Sequence, residues 1–204
     1  MADTLDIGFL ADDTLGAARK LLGVEIITCI DGVETSGFIT EVEAYLGVDD
    51  RAAHTFGGRK NKKNSMMFND FGHLYVYTMH GHHCMNILTK EKTHPEGVLI
   101  RGIEPHIGRD VMIERRGRET GLTDGPGKLT KSLGVRREFH NGMELNNGIL
   151  TLRPGRAPRE IEATKRIGID NKEEAVHYPY RFIVKGNPHV SRFRGRPAEN
   201  NGWK

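Results

Sequence analysis

A β-branched run and the candidate strand that follows it across Asp31-Gly32 constrain this chain more than any other feature. Val24 to Ile30 reads as a strand, Asp-Gly supplies residues that tolerate the positive φ of a tight turn, and Val33 to Tyr45 reads as the returning partner. The result is an antiparallel hairpin. Strand alternation then places Ile39, Glu41, Glu43 and Tyr45 on one face and Thr40, Val42 and Ala44 on the other. Two carboxylates and an aromatic ring share a surface. That surface is either an exposed acidic face over an apolar reverse side, or a site where one carboxylate acts as a base beside an aromatic platform. The strand alone leaves both readings open.

Further strands are expected at Leu74 to Met79, Cys84 to Leu88, Val98 to Ile103, Ile149 to Leu152 and Arg181 to Val184, with a turn at Asn147-Gly148. Asp12 or Asp13 can cap a helix through Leu15, Ala18, Leu21 and Leu22, and Gly23 suits its end. Other helices are expected at Ile107 to Arg116, starting near Pro105, and at Lys128 to Leu133. Strands and helices do not alternate regularly, so the expected fold is a single α+β domain over residues 1–204. Its helices flank a curved, largely antiparallel, open-barrel-like sheet. At 204 residues and 37% hydrophobic content one core suffices. The long loop from Gly47 to Phe71 is a candidate for binding, and residues from about 195 to 204 are expected to form a loose tail.

No stretch is long and apolar enough to span a bilayer, and the first ten residues lack the pattern of a signal peptide. An intracellular protein without membrane contact is expected. Cys29 and Cys84, without paired spacing, are expected to be reduced and buried. The net charge is only +3, but cations cluster at Arg59, Lys60, Lys62 and Lys63, at Arg115, Arg116 and Arg118, and at Arg192, Arg194 and Arg196. Such runs are either a solvated surface or a track for phosphates.

Arg101 sits in an otherwise apolar strand and therefore needs a carboxylate partner, because an unpaired buried charge is costly. Glu104 would make the pair structural. Glu43 would instead be held ionised beside a water, as a general base requires. Tyr75 and Tyr77 face one way and Asn86 follows in the next strand, a set that could stack on and hydrogen-bond to a base, or simply pack. His80, His82, His83 and Cys84 carry metal-binding side chains, but their spacing matches no standard site, and no metal or other cofactor is expected.

The chain resembles the alkyladenine (3-methyladenine) DNA glycosylase family of the mammalian type. The matching blocks include Ala18 to Gly23, Glu41-Val42-Glu43-Ala44-Tyr45-Leu46-Gly47, Ala52-Ala53-His54, Gly57-Gly58-Arg59, Tyr75-Val76-Tyr77 and Cys84-Met85-Asn86. They continue through Val98 to Arg101, Gly125 to Leu129 and Arg181 to Val184. The resemblance implies a metal-free enzyme that bends duplex DNA, extrudes a damaged purine and hydrolyses its glycosidic bond. It implies Glu43 as the base for water, Arg101 and the main-chain carbonyl of Val184 as its partners, and Tyr45, His54 and Tyr77 as the rings around the flipped base. Asn86 would screen purines at the pocket floor.

No lysine stands at the matched base-activating position, so hydrolysis leaving an abasic site is expected, on 3-methyladenine, 7-methylguanine, hypoxanthine or ethenoadenine. The family's intercalating tyrosine at the hairpin tip is His80 here, and Lys63 stands where an arginine is common. A monomer is the simplest expectation. The alternatives are a catalytically weak damage-binding protein of the same fold, and a metal-dependent hydrolase centred on His80 to Cys84.

Overall fold

A computed structural model describes residues 4–204. Asp13 caps the first helix, α1 (Thr14–Leu21), by accepting from the Leu15 and Gly16 amides. The hairpin follows as β1 (Glu25–Ile30) and β2 (Val33–Tyr45), in register from Ile30 opposite Val33 to Glu25 opposite Phe38. After the long loop, which winds through three short 3-10 turns, come β3 (Leu74–Met79), β4 (His82–Thr89) and β5 (Glu96–Pro105). The remaining elements are α2 (Arg109–Arg116), α3 (Pro126–Leu133), the short α4 (Arg137–His140), β6 (Leu150–Arg153), β7 (Ile161–Thr164) and β8 (Arg181–Val184). Pro105 thus closes β5 instead of opening a helix, and β7 and α4 were not expected from the sequence.

The antiparallel sheet runs β3-β4-β5-β2-β1-β6, while β8 joins β2 and pairs with β7. Strand β2 organises it. One edge pairs with β5, and the other pairs first with β1 and then, at Glu41 to Glu43, with β8. The helices cover one face: Ala17, Ala18, Leu21, Met112, Leu129 and Leu133 pack with Ile26, Val42, Val76, Met85 and Ile100 in the main core. The opposite face is left for side chains that do not belong to that core.

Three further expectations need correction. Strict alternation put Ile39 beside Glu41 and Ile103 beside Arg101, but the β2–β5 register shifts between Ile39 and Glu41 and again between Glu41 and Val42. These bulges send Ile39 and Ile103 into the main core with Val42, Ala44, Val98 and Ile100. The terminal residues are not a loose tail to their end, because Trp203 is buried, bridges to Pro158 and donates from Nε1 to Glu104 Oε2 at 2.8 Å. Both cysteines are free, Cys84 buried as expected but Cys29 exposed.

Candidate active site

Glu41 and Glu43 are both 0% exposed, so the acidic face of β2 is interior. Two ionisable groups can be interior only if their lone pairs are met. Glu41 accepts from Arg101 Nε at 3.0 Å, Arg181 Nε at 2.6 Å, and the Ser191 amide and hydroxyl at 2.6 and 2.7 Å. Glu43 accepts from the Tyr45 hydroxyl at 2.8 Å, the Ile167 amide at 2.7 Å and, more loosely, Arg101 Nη1 at 3.4 Å. Arg101 therefore bridges both carboxylates and holds Glu41 the closer. Glu104 has other partners, Arg156, Asn187 and Trp203.

The two carboxyl groups diverge electrostatically. Burial pushes Glu41 up, but Arg101, Arg181 and the Ser191 hydrogen bonds together hold it below the usual carboxylate value. Burial dominates at Glu43 and raises it, against the pull of Arg101, Ile167 and Tyr45, with the negative Glu41 adding to the rise. One carboxyl group is favoured as the anion, and the other holds a proton more readily.

The three groups that hold Glu43 all line a cavity of about 360 Å³, behind whose wall the carboxylate sits. Tyr45, His54, Tyr77, His80 and Asn86 line it too, with Tyr75, Met67, Leu99 and Lys172. Tyr75 and Tyr77 stack with centroids 5.2 Å apart, and His54 meets Tyr77 edge-on at 4.6 Å. On β4, Asn86 sits opposite Tyr75 of β3 and opposite Leu99 of β5. His54 Nδ1 lies 2.9 Å from the Tyr75 hydroxyl. Partial desolvation, and then the charge of Lys172, hold His54 below the ordinary histidine value, which favours the neutral ring at pH 7. Burial raises the Tyr75 hydroxyl to about 12. The lining is thus aromatic, with a few directional polar groups.

His80 occupies the tip of the β3–β4 hairpin in a left-handed conformation, φ 49°, followed by Gly81 at 77°. Consecutive positive φ values are those of a type I′ turn, which projects His80 at the cavity mouth. Its neighbours diverge: His82 packs against Gly127, where a Cβ would fall 2.7 Å from the His82 Cβ, His83 faces Thr78, and Cys84 turns toward Tyr77. Among the described residues no three His, Cys, Asp or Glu side chains are placed to hold a metal ion.

Val184 is not brought to this cavity. Its carbonyl accepts from the Asn187 amide, its strand partner is Ile161, and the β8 residue opposite Glu43 is Arg181. The main chain that meets Glu43 is that of Ile167, a residue the sequence reading passed over because a backbone donor has no side-chain signature. Arg166, Lys172 and Ser191 were passed over as well; the apolar Ile167-Gly168-Ile169 stretch after two cations was the available signal.

Residues 8–188 match the family model described as methylpurine-DNA glycosylase (MPG). The chain belongs to that family. Its similar relatives include a Staphylococcus saprophyticus protein, 44% identical over 189 residues, covering 91% of this chain and 93% of the relative. A Bacillus cereus protein is 42% identical and a Bacillus mycoides protein 43% identical, each over 201 residues, covering 90% of this chain and 97% of the relative. All three carry the name "Putative 3-methyladenine DNA glycosylase". As a methylpurine-DNA glycosylase family member the chain is a DNA repair enzyme, and among its described residues no helix is long and apolar enough to cross a membrane.

Proposed function

We propose that the protein extrudes 3-methyladenine from duplex DNA into the aromatic cavity and hydrolyses its glycosidic bond with Glu43 as general base. The observation that carries this is the buried, raised Glu43 carboxylate, held by three residues that all line the cavity. A base stacked in the duplex hides its glycosidic bond, so it must leave the stack, and damaged pairs resist least. Tyr45, His54 and Tyr77 offer faces to the extruded ring, and a cationic methylated base gains from aromatic π faces. His80 fills the vacated stack from the hairpin tip.

As the C1′–N bond breaks, positive charge develops on the sugar and the bonding pair leaves with the base. Water, admitted beside Arg101 Nη1, the loosest of the three donors on Glu43, adds its oxygen to C1′ and gives its proton to the carboxylate. Arg101 orients that carboxylate, while Glu41 keeps Arg101 in place. Free base and an abasic site result, with no cofactor in the scheme. All these groups come from one chain, so a monomer is sufficient, and the substrate places the protein with chromosomal DNA inside the cell. The same pocket extends the reading to 7-methylguanine, hypoxanthine and ethenoadenine, with Asn86 screening normal purines.

The test is release of free base from duplexes carrying each lesion, with alkali to reveal abasic sites, for wild type and Glu43→Gln. Loss of about a hundredfold or more is expected for the variant; full activity in it would remove Glu43 from the mechanism. Because Lys172 lines the cavity, attack by an amine is a second route. Borohydride separates the two routes, since it would trap a Lys172 adduct and should trap none.

A further inference from the structure

Outside the Glu41, Glu43 and Arg101 group, Arg166 is an enclosed charge, its side chain 0% exposed. Its Nη1 donates to the Ala44 carbonyl at 2.9 Å and to Asp50, and its Nη2 donates to Asp50 Oδ1 at 2.8 Å and to the Ala175 carbonyl at 3.5 Å. Asp50 is itself fixed by the Leu46 and Ala52 amides. The guanidinium lies 4.8 Å from the Tyr45 ring centroid and 5.3 Å from that of Tyr180, while its Nε has no partner. One side chain thus ties together β2, the loop after it and the turn at Ala175.

A buried ion pair is weak evidence of a purely stabilising role, since packed apolar groups often do as well. What distinguishes this pair is its address. The residue after Arg166 donates its amide to Glu43, and the ring that Arg166 backs carries the hydroxyl donated to the same carboxylate. Two of the three donors on Glu43 therefore depend on where Arg166 lies. Arg166 does not line the cavity.

We propose that Arg166 is a positioning residue for Glu43, holding the Ile167 amide and the Tyr45 hydroxyl on its carboxylate. It does so through the forked bond to Asp50 and the bond to the Ala44 carbonyl. The catalytic sense of this rests on Glu43 being the general base. The titratable and charged groups around Glu43 are Glu41 and Tyr45 on β2, Arg101 on β5, Arg181 opposite Glu43 on β8 but bonded to Glu41, Tyr77 on β3, Cys84 on β4 and Arg166 itself. Removing Arg166 removes a cation from this set and loosens a hydrogen bond to the ionised form, and both changes raise the pH at which Glu43 titrates.

The experiment follows the Glu43 side-chain carboxyl by ¹³C NMR in glutamate-labelled protein, assigned with Glu43→Gln, alongside the pH dependence of single-turnover excision. Wild type, Arg166→Met and Arg166→Lys are compared. In Arg166→Met the Glu43 midpoint should rise by about one pH unit or more, with excision at neutral pH falling roughly tenfold. Arg166→Lys keeps the charge but cannot fork, so its midpoint should move the same way by less. A folded Arg166→Met protein with an unmoved midpoint would overturn the proposal. If that variant does not fold, an unmoved midpoint in Arg166→Lys overturns it equally. A moved midpoint that the acid limb of the rate fails to follow would leave Arg166 as positioned and sink the Glu43 assignment instead.

Discussion

Glu41 and Glu43 are two positions apart on one strand and are pushed in opposite directions, so their identical chemistry divides into structure and function. Glu41→Gln should destabilise the protein by about 3–5 kcal/mol, because it leaves Arg101 and Arg181 buried without their shared anion. A carboxylate held low contributes stability above its ordinary pKa and loses it as pH falls through the folded value. The stability gap between wild type and Glu41→Gln, measured by urea denaturation, should therefore narrow in acid; a constant gap would mean that charge is not the cause. Glu43 has the opposite sign: its raised value makes ionisation cost stability as pH climbs past the ordinary carboxylate range. Excision should then begin to fail in mild acid, above the pH at which a free glutamate titrates, and a limb at or below that range would contradict the assignment. At this scale the sequence showed a strand with two acids and Tyr45, and an arginine needing a partner. It could not show that Arg101 holds Glu41 more closely than Glu43, because that is decided by a fraction of an ångström across two strands.

The elements explain why strict alternation failed where it mattered. Strands β2 and β5 each carry an irregularity beside the site, and Gly102 in β5 was its legible mark. A Cβ at Gly102 would fall 2.6 Å from the His189 carbonyl and 2.9 Å from Thr40 Oγ1, so only glycine permits this approach. Gly102→Ala should cost about 1–3 kcal/mol. It should also lower excision further than its melting temperature explains, since the shift falls on Glu41 and Arg101; an active, merely destabilised variant would detach the bulge from the site. The hairpin β3–β4 was readable from alternating apolar residues and Gly81, whereas β7 was not, because Ile161–Thr164 is only four residues long and buries neither face. His80 at the hairpin tip should accept replacement by Tyr with activity preserved or raised, the larger ring stacking over more area. A large loss in that variant would give the histidine a role beyond filling a gap.

For the whole molecule, the helices cover one face of the sheet, the proposed reading gives the cavity side to DNA, and the cation clusters divide accordingly. Arg115 turns inward, donating to Thr35 Oγ1 at 3.2 Å and the Ser132 carbonyl at 2.9 Å, so it braces α2 and α3. Arg118 and Lys128 instead line a second cavity, of about 510 Å³, that shares Met79, His80, Cys84 and Pro126 with the base pocket. Lys63 and Arg137 line a third, of about 410 Å³, that shares His54, Tyr75, Tyr77 and Met79. Cations thus flank the base pocket on both neighbouring surfaces, an arrangement no linear run of lysines and arginines reveals. Each phosphate they neutralise releases counterions, so the logarithm of duplex affinity should fall with the logarithm of salt by about 0.9 per contact. Arg118→Ala and Lys128→Ala should each flatten that slope by about one and weaken binding to damaged and undamaged duplexes alike. Arg115→Ala should leave the slope unchanged while lowering the melting temperature. If Arg115→Ala alone flattened the slope, the DNA track would have to run over the helical face, away from Glu43.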